Sequence, residues 1–240
     1  MRLQVNTSNQ NFHNLPKYIQ ISELLIRDIG SGRLIDGERL PPERVLAKTL
    51  NVTVTTLRKS LKVLVEKGML KQIHGSGNYV CHGAKDDSVY AMFRLELLKG
   101  GGLPSAKFID IKQMKKPANL PIFGTSNIAT RMRRIRYLNK TIIGLEEIWL
   151  DLDEGNVKKN QVSDSLYHYY RTRLGFWITH AEDRVSINAL PDWTPDDFSL
   201  PVGTITGFIE RFSWSEKSKP IEYSKTWFDT NTAHYVQRLK

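Results

Sequence analysis

Residues 40–80, LPPERVLAKTLNVTVTTLRKSLKVLVEKGMLKQIHGSGNYV, decide how this chain folds. Pro41 and Pro42 cannot continue an earlier helix but suit a first helical turn, and behind them Val45, Leu46 and Leu50 fall at spacings that line one face. An amphipathic helix from Glu43 to Leu50 is expected. Asn51 interrupts it. Thr53 then offers a side-chain oxygen to cap a further helix, whose apolar positions are Leu57, Leu61, Leu64 and Val65 and which Gly68 stops. The other face of that helix carries Thr55, Thr56, Arg58, Lys59 and Lys62, hydroxyls and cations with no acid among them, which suits a polyanion.

After Met69 and Leu70, the run KQIHGSGNYV places Gly75, Ser76 and Gly77 where a tight hairpin needs positive φ, between strands at Lys71–Ile73 and Asn78–Val80. Upstream, Tyr18, Ile21, Leu25, Ile26 and Ile29 recur at helical spacing as far as Gly30-Ser31-Gly32, a first helix to pack beneath the other two. Three helices and a glycine-tipped ribbon are the plan of a winged helix-turn-helix, so sequence-directed DNA binding is expected. A GSG run can also cradle phosphate, but a nucleotide fingerprint needs its glycines between a buried strand and a helix, and these lie between two exposed strands. By themselves Arg58, Lys59 and Lys62 would read as a solvated helix face. The capped helix, turn and ribbon around them shift the weight to DNA, while His74 reads equally as a hairpin surface residue and as a DNA contact.

A chain of 240 residues with 40% hydrophobic content can fill two ordinary domains. Its formal charge of +10 favours an anionic partner, nucleic acid or membrane surface, without choosing between them. No apolar run approaches the roughly 20 residues that span a bilayer, and no charged start followed by an apolar core opens the sequence, so cytoplasm is the simplest address. Cys81 is the only cysteine; it can form no internal disulfide or zinc site by itself and reads as a spacer at the domain junction. Residues 1–14 are polar and Asn-rich, an expected mobile arm, and Ala84 to Ser88 read as linker. The expected division is a winged helix-turn-helix at 15–82, a linker at 83–90 and a second domain at 91–240.

That second domain reads as α+β. Lys107–Ile111, Ala129–Leu138, Thr141–Leu152, Glu182–Ala189, Gly203–Ser213 and Pro220–Thr230 are rich in β-branched and aromatic residues, whereas Val162–Leu174 has helical spacing with Ser163 as a cap. Asn139-Lys140 makes a credible tight turn, so the strand bearing Arg134 and Arg136 should pair with the one bearing Glu146. Residues two apart share a sheet face. Two arginines on one face need either a structural salt bridge to Glu146 or Glu147 or a bound anion, and spacing alone leaves both open.

Residues 16–80 resemble the DNA-binding domain of the GntR family: Pro16-Lys17-Tyr18, Gly37-Glu38-Arg39-Leu40-Pro41, Glu43-Arg44, Thr55-Thr56-Leu57-Arg58-Lys59, Gly75-Ser76-Gly77 and Val80 carry the match. The remainder resembles the UTRA sensing domain of the HutC branch, which has the chorismate-lyase fold, in Arg134-Ile135-Arg136, Leu145-Glu146-Glu147-Ile148-Trp149-Leu150, Ser165-Leu166-Tyr167 and Pro220-Ile221-Glu222-Tyr223-Ser224. The resemblance implies that Arg44, Thr53, Val54, Thr55, Thr56, Arg58 and Lys59 face the major groove, with His74 and Gly75 at the wing touching the minor groove. An arginine can hold guanine O6 and N7 together, threonines reach phosphate or a thymine methyl, and glycine lets a wing approach the backbone. Two positions depart. Relatives usually carry Ser where Pro42 stands and often Arg where Val54 stands, so Val54 is expected to meet a thymine methyl or no base, shifting preference at one base pair by roughly 1–3 kcal/mol.

By the same resemblance, Arg134, Arg136, Glu146, Ser165, Glu222 and Tyr235, with Arg94 nearby, would bind a small effector. The arginines would take a carboxylate or phosphate and the glutamates hydroxyls. A phosphosugar, amino acid or organic acid fits. The six histidines, His13, His74, His82, His168, His180 and His234, are scattered singly, and no catalytic triad order or metal spacing occurs, so no catalytic residue, metal or cofactor is expected. The expected protein is a homodimeric transcription regulator, a repressor, that answers to an anionic metabolite. Its rivals are an architectural DNA binder that senses nothing and a lyase-like enzyme fused to a DNA-binding head.

Overall fold

A computed structural model describes residues 15–81, 88–158, 161–162 and 165–238. The expected arm at 1–14, linker residues 83–87 and the cap at Ser163 lie outside them.

The head consists of α1 (Lys17–Gly30), α2 (Glu43–Thr49), α3 (Val54–Glu66), β1 (Leu70–Ile73) and β2 (Gly77–Val80). Ile21, Leu25, Ile26, Ile29, Leu46, Leu57, Leu61 and Leu64 meet in one core with Met69, Leu70 and Val80, so the helical apolar spacing and the ribbon bury a common set of side chains. Asn51 breaks α2 from α3 with a left-handed φ of 52°. The Thr53 hydroxyl accepts the Thr56 N–H at 3.1 Å, capping α3, and Ser60 Oγ donates to the Tyr18 carbonyl at 2.9 Å, tying α3 to α1. The ribbon pairs Leu70 with Val80 and Ile73 with Gly77, one residue more on each strand than the apolar pattern suggests.

The second domain holds β3 (Leu95–Leu97), β4 (Pro104–Lys115), β5 (Ile128–Leu138), β6 (Thr141–Asp151), α4 (Leu166–Tyr169), β7 (His180–Ala189), β8 (Ile205–Trp214), β9 (Glu222–Phe228) and β10 (Ala233–Tyr235). Six strands form one antiparallel sheet in the order β4-β5-β6-β9-β8-β7, and β3 pairs separately with β10. Asn139 and Lys140 turn β5 into β6 with φ of 49° and 72°, the pair of left-handed residues a two-residue hairpin requires. The helix expected over Val162–Leu174 is shorter: Ser165 caps α4, and Tyr170–Leu174 continue as a single π turn that ends at Gly175. Helical spacing reports which residues turn toward the sheet and is blind to an α-to-π change of hydrogen bonding. β4 extends past Ile111 to Lys115 along its edge, where exposed side chains remove the alternation that would have revealed it.

Residues 88–90 are buried against α1, although part of an expected linker. Ser88 Oγ donates to the Glu23 carbonyl at 3.0 Å and the Val89 N–H to the Glu23 carboxylate at 2.8 Å. Just beyond, Arg238 bonds both Glu96 oxygens, at 2.7 and 3.0 Å. Burial raises the Glu96 carboxyl, but the bonds from Arg238 and the Gly101 N–H and the charges of Arg238 and Arg33 outweigh it and hold the pKa at about 2.

Gly144 on β6 is required by close approach: a Cβ there would stand 2.1 Å from the Trp227 carbonyl oxygen on β9. The three nearest atoms are all backbone of Trp227 and Phe228, so no flexible side chain is there to yield. Gly144→Ala is expected to lower unfolding free energy by about 3 kcal/mol; an unchanged urea midpoint would show that the two strands can part there at no cost.

Candidate functional site

Two regions gather the residues singled out above. On the head, Thr53, Thr55, Arg58 and Lys59 are exposed along the opening of α3, Arg44 is exposed in α2, and His74 and Gly75 are exposed at the ribbon tip. Gly75 has φ of 72°, so the tip turns where a side chain would be strained. Some of these groups already have local partners. Thr53 Oγ1 lies 2.9 Å from Thr56 Oγ1 while capping the helix, and Arg58 Nε donates to Glu43 Oε2 at 2.7 Å, so α2 holds Arg58 in place. Val54 is half-buried and packs against the head core, which limits how far its methyls extend outward. Between the ribbon and the start of α2 runs a groove of about 500 Å³ bordered by Arg39, Pro42, His74 and Gly75. Arg39 was not singled out from the sequence. It is exposed and bridges to Tyr79 of β2, and the charge run Glu38-Arg39 ahead of two prolines hides that placement.

In the second domain, Arg134, Arg136, Glu146, Ser165 and Glu222 line one cavity of about 50 Å³, and Arg94 lines a smaller one beside it that shares Arg136 and Glu146. The antiparallel register places Arg134 directly opposite Glu146. Arg134 Nε donates to Glu146 Oε2, and Arg136 Nη1 lies 3.7 Å from the same oxygen. The structural salt bridge to Glu146 is therefore present, and it forms part of the cavity wall. Arg133 points to the opposite face, bonding Glu147 at 2.7 Å and stacking 4.7 Å from the Trp193 ring centre, as strand alternation demands. Burial alone would raise the Glu146 carboxyl; the charges of Arg134 and Arg136 and the hydrogen bond from Arg134 hold it below the ordinary value.

Tyr235 stands outside the cavity. Its hydroxyl donates to Asp183 Oδ2 at 2.9 Å, and Asp183 in turn holds Arg211 through bonds of 2.6 and 2.7 Å, so Tyr235 reaches the pocket only by orienting Arg211. Arg211 itself was missed, as were Tyr167 and Ser224, which also line the cavity. The signal for Arg211 was partial: it lies on the expected strand Gly203–Ser213, where residues 209, 211 and 213 share a face, but the opposite face carries Phe208 and Phe212, and both faces are buried. That this face meets Arg134 depends on strand order, which neighbouring sequence does not carry.

Glu222 sits in a ring of hydroxyls. Tyr170 Oη donates to Oε2 at 2.6 Å, Ser213 Oγ to Oε1 at 3.0 Å, and Tyr167 Oη lies 3.4 Å from Oε1. Burial nevertheless dominates and pushes the carboxyl up, against the bonds from Tyr170 and Ser213. Burial likewise drives the Tyr167 and Tyr170 hydroxyls up, reinforced by the Glu222 charge, so both act as donors.

Residues 17–80 match the description "Bacterial regulatory proteins, gntR family", and residues 101–234 match the UTRA domain. The chain belongs to the GntR family. It is 46% identical to the HTH-type transcriptional regulator SmoD of Agrobacterium fabrum, over 95% of this chain and 97% of that protein. It is 25% identical to the mannosyl-D-glycerate transport/metabolism system repressor MngR of Escherichia coli, over 90% and 92%. The crystal structure of YydK from Bacillus subtilis superimposes with a TM-score of 0.53 at 24% identity, covering 94% of this chain and all of that one, and so shares the fold. This GntR protein is thus a transcriptional regulator with a helix-turn-helix head and a UTRA ligand-binding domain, and its relatives bear the names of regulators rather than enzymes.

A carboxyl whose folded pKa is raised favours folding while protonated and loses that contribution as pH rises from the unfolded value, 4.5, through the folded one. Relative to Glu222→Gln, the wild type is expected to lose stability across that rise and to level off above it. A difference between the two that stays constant from acid to neutral pH would show that Glu222 ionises as it does in the unfolded chain.

Proposed function

We propose that this GntR protein is a cytoplasmic, homodimeric repressor that binds a near-palindromic operator and responds to a small anionic metabolite. The observation that carries the effector reading is the convergence of Arg134, Arg136 and Arg211 on one cavity, with Glu146 and Glu222 beside them and Phe93, Ile148 and Leu166 as apolar walls. Guanidinium groups take carboxylate or phosphate in two-point bonds, and glutamates accept sugar hydroxyls, so a phosphosugar or a sugar or organic acid suits this lining. The name of MngR supports the same class, since it pairs a repressor with a system for mannosyl-D-glycerate, a sugar bearing a carboxylate. Among the described residues no helix is long and apolar enough to cross a membrane, and no cluster of three or more His, Cys, Asp or Glu is placed to hold a metal.

On the operator, α3 enters the major groove with Thr53, Thr55, Thr56, Arg58 and Lys59, Arg44 reads a guanine, and His74 and Gly75 reach the neighbouring minor groove. The two heads of a dimer then lie in successive major grooves about 34 Å apart. Selecting binders from a pool of random duplexes gives the operator and tests these roles. Arg44→Ala is expected to lose roughly 1–3 kcal/mol at one base pair and relax preference there, whereas Lys59→Ala weakens all sequences alike and lowers the salt slope by about 1. Val54→Ala should change preference at a thymine or nowhere. Equal loss on every sequence from Arg44→Ala would remove its base-reading role.

The effector reading is tested by thermal shift with sugar phosphates, sugar acids and amino acids, on the wild type and on Arg134→Ala. Stabilisation follows RT ln(1 + [L]/Kd), about 2.7 kcal/mol at a hundredfold excess over Kd. Hits are expected among anions and should vanish in the variant; no anionic hit, or hits indifferent to Arg134, would count against the pocket.

A further inference from the structure

The cavity as it stands is too small for the effector class just proposed. About 50 Å³ suffices for a few water molecules at roughly 10–15 Å³ each, while metabolite sites run to about 300–1,000 Å³. An effector enclosed by this lining displaces a wall. Arg134 on β5, Glu146 and Ile148 on β6, Arg211 on β8 and Glu222 and Ser224 on β9 belong to inner strands of the six-stranded sheet, so moving them breaks ladder hydrogen bonds on both sides. The start of α4 is held by Leu166 in the core beneath it and by the Tyr167 and Tyr170 bonds around Glu222.

The remaining wall is residues 88–93, of which Val89, Tyr90, Met92 and Phe93 line the cavity. This segment pairs with no strand among the described residues; its bonds include short turns, Ala91 N–H to the Ser88 carbonyl at 2.9 Å and Phe93 N–H to the Tyr90 carbonyl at 2.8 Å, and Arg94 Nη1 donates to the Ala91 carbonyl. Its other side is fastened to the DNA-binding head. Ser88 and Val89 bond Glu23 of α1, and the Phe93 ring is approached both by the pocket's Arg136, at 4.7 Å from the ring centre, and by the buried Arg27 of α1, at 5.9 Å. α1 in turn carries α3 through the Ser60 to Tyr18 bond and their shared core.

We propose that residues 88–93 are a strap shared by the pocket and α1, so that filling the cavity pushes the strap off Glu23 and Arg27 and frees the head from the sensing domain. The inference rests on the pocket being the effector site and names how that site is coupled to DNA. A loosened strap leaves the face of α3 intact but no longer sets the placement of two heads on one operator.

The strap can be moved without any ligand. Ser224→Leu and Ile148→Phe each fill the cavity from the rigid sheet, and Glu23→Ala cuts the fastening from the head side. In the full-length protein, each filling variant is expected to speed hydrogen exchange at the Val89 amide and to lower affinity for the selected full operator by about fivefold or more, with half-site affinity unchanged. Glu23→Ala should lower full-operator affinity to a similar degree, and adding Ser224→Leu should lower it no further, since both act through one contact. If both filling variants misfold, Glu23→Ala and Phe93→Leu, which add no bulk, decide the matter by the same non-additivity. A folded filling variant with Val89 still protected, unchanged full-operator affinity with Val89 exposed, additive losses, or equal losses on half-sites would each overturn the strap. Because no anion takes part, a failed effector screen leaves these outcomes unaltered; anionic hits that depend on Arg134, together with uncoupled variants, would keep the pocket and remove only the strap.

Discussion

Pairing Arg134 with Glu146 across β5 and β6 is the constraint on which the sensing half is built. Both side chains are nearly out of water, and a buried charge without its partner costs several kcal/mol, about 3–5 when one member of such a pair is removed. The sheet register therefore has to place them opposite one another, and a slip of one residue would turn Arg134 toward Trp193 and bring Arg133 to the pocket side. The left-handed pair at Asn139 and Lys140 opens the hairpin, and a one-residue bulge at Ile143 then shifts the register so that Glu146 rather than Leu145 stands opposite Arg134. Once it is set, Arg136 arrives on the same face, and Arg211, Ser224 and Glu222 are brought in from strands on the far side of β6. Such a lining is stable as it stands, because each charged group is already engaged.

The head obeys a different balance. Its helices are fixed by a core of aliphatic side chains, and the groups turned outward are exposed, where an ion pair contributes about 0–1 kcal/mol. Exchanging Glu43 for a phosphate therefore costs Arg58 little, while the pair keeps the guanidinium from wandering. The Thr53 hydroxyl, by contrast, is spent on capping α3, so its part in any recognition passes through the position of the helix start as much as through direct contact. Between the halves lies α1, buried on one side by α3 and on another by residues 88–93. A helix in contact with both bodies is the natural place for one to sense the other.

Much of the head was legible in the chain because its signals are local. Prolines before α2, Asn51 between helices, the Thr53 cap, Gly68 and the GSG tip each act within a few residues, and each sits where backbone geometry demanded it. In the sensing domain the strands were legible one by one, with Lys107–Ile111, Glu182–Ala189, Gly203–Ser213 and Pro220–Thr230 falling on β4, β7, β8 and β9, but pairing was legible only in one hairpin: Asn139-Lys140 announced the turn, and period-two spacing put Arg134 and Arg136 together. β3 and β10, three residues each, are too short for any periodicity to register, and they pair across most of the domain. Residues 88–93 have no regular structure at all, and small polar residues ahead of them resemble a linker.

What the chain alone determined is the set of elements and the chemistry of their faces, because capping, turn conformation and side-chain alternation depend on neighbours a few positions apart. Which faces meet was decided by tertiary structure. Arg134 finds Arg211 and Glu222 through strand order, and Phe93 finds both Arg136 and Arg27 through the docking of head on sheet. These are encounters between residues tens of positions apart, settled by which arrangement buries the apolar surface while leaving no charge unpaired, and no local pattern records that global minimum.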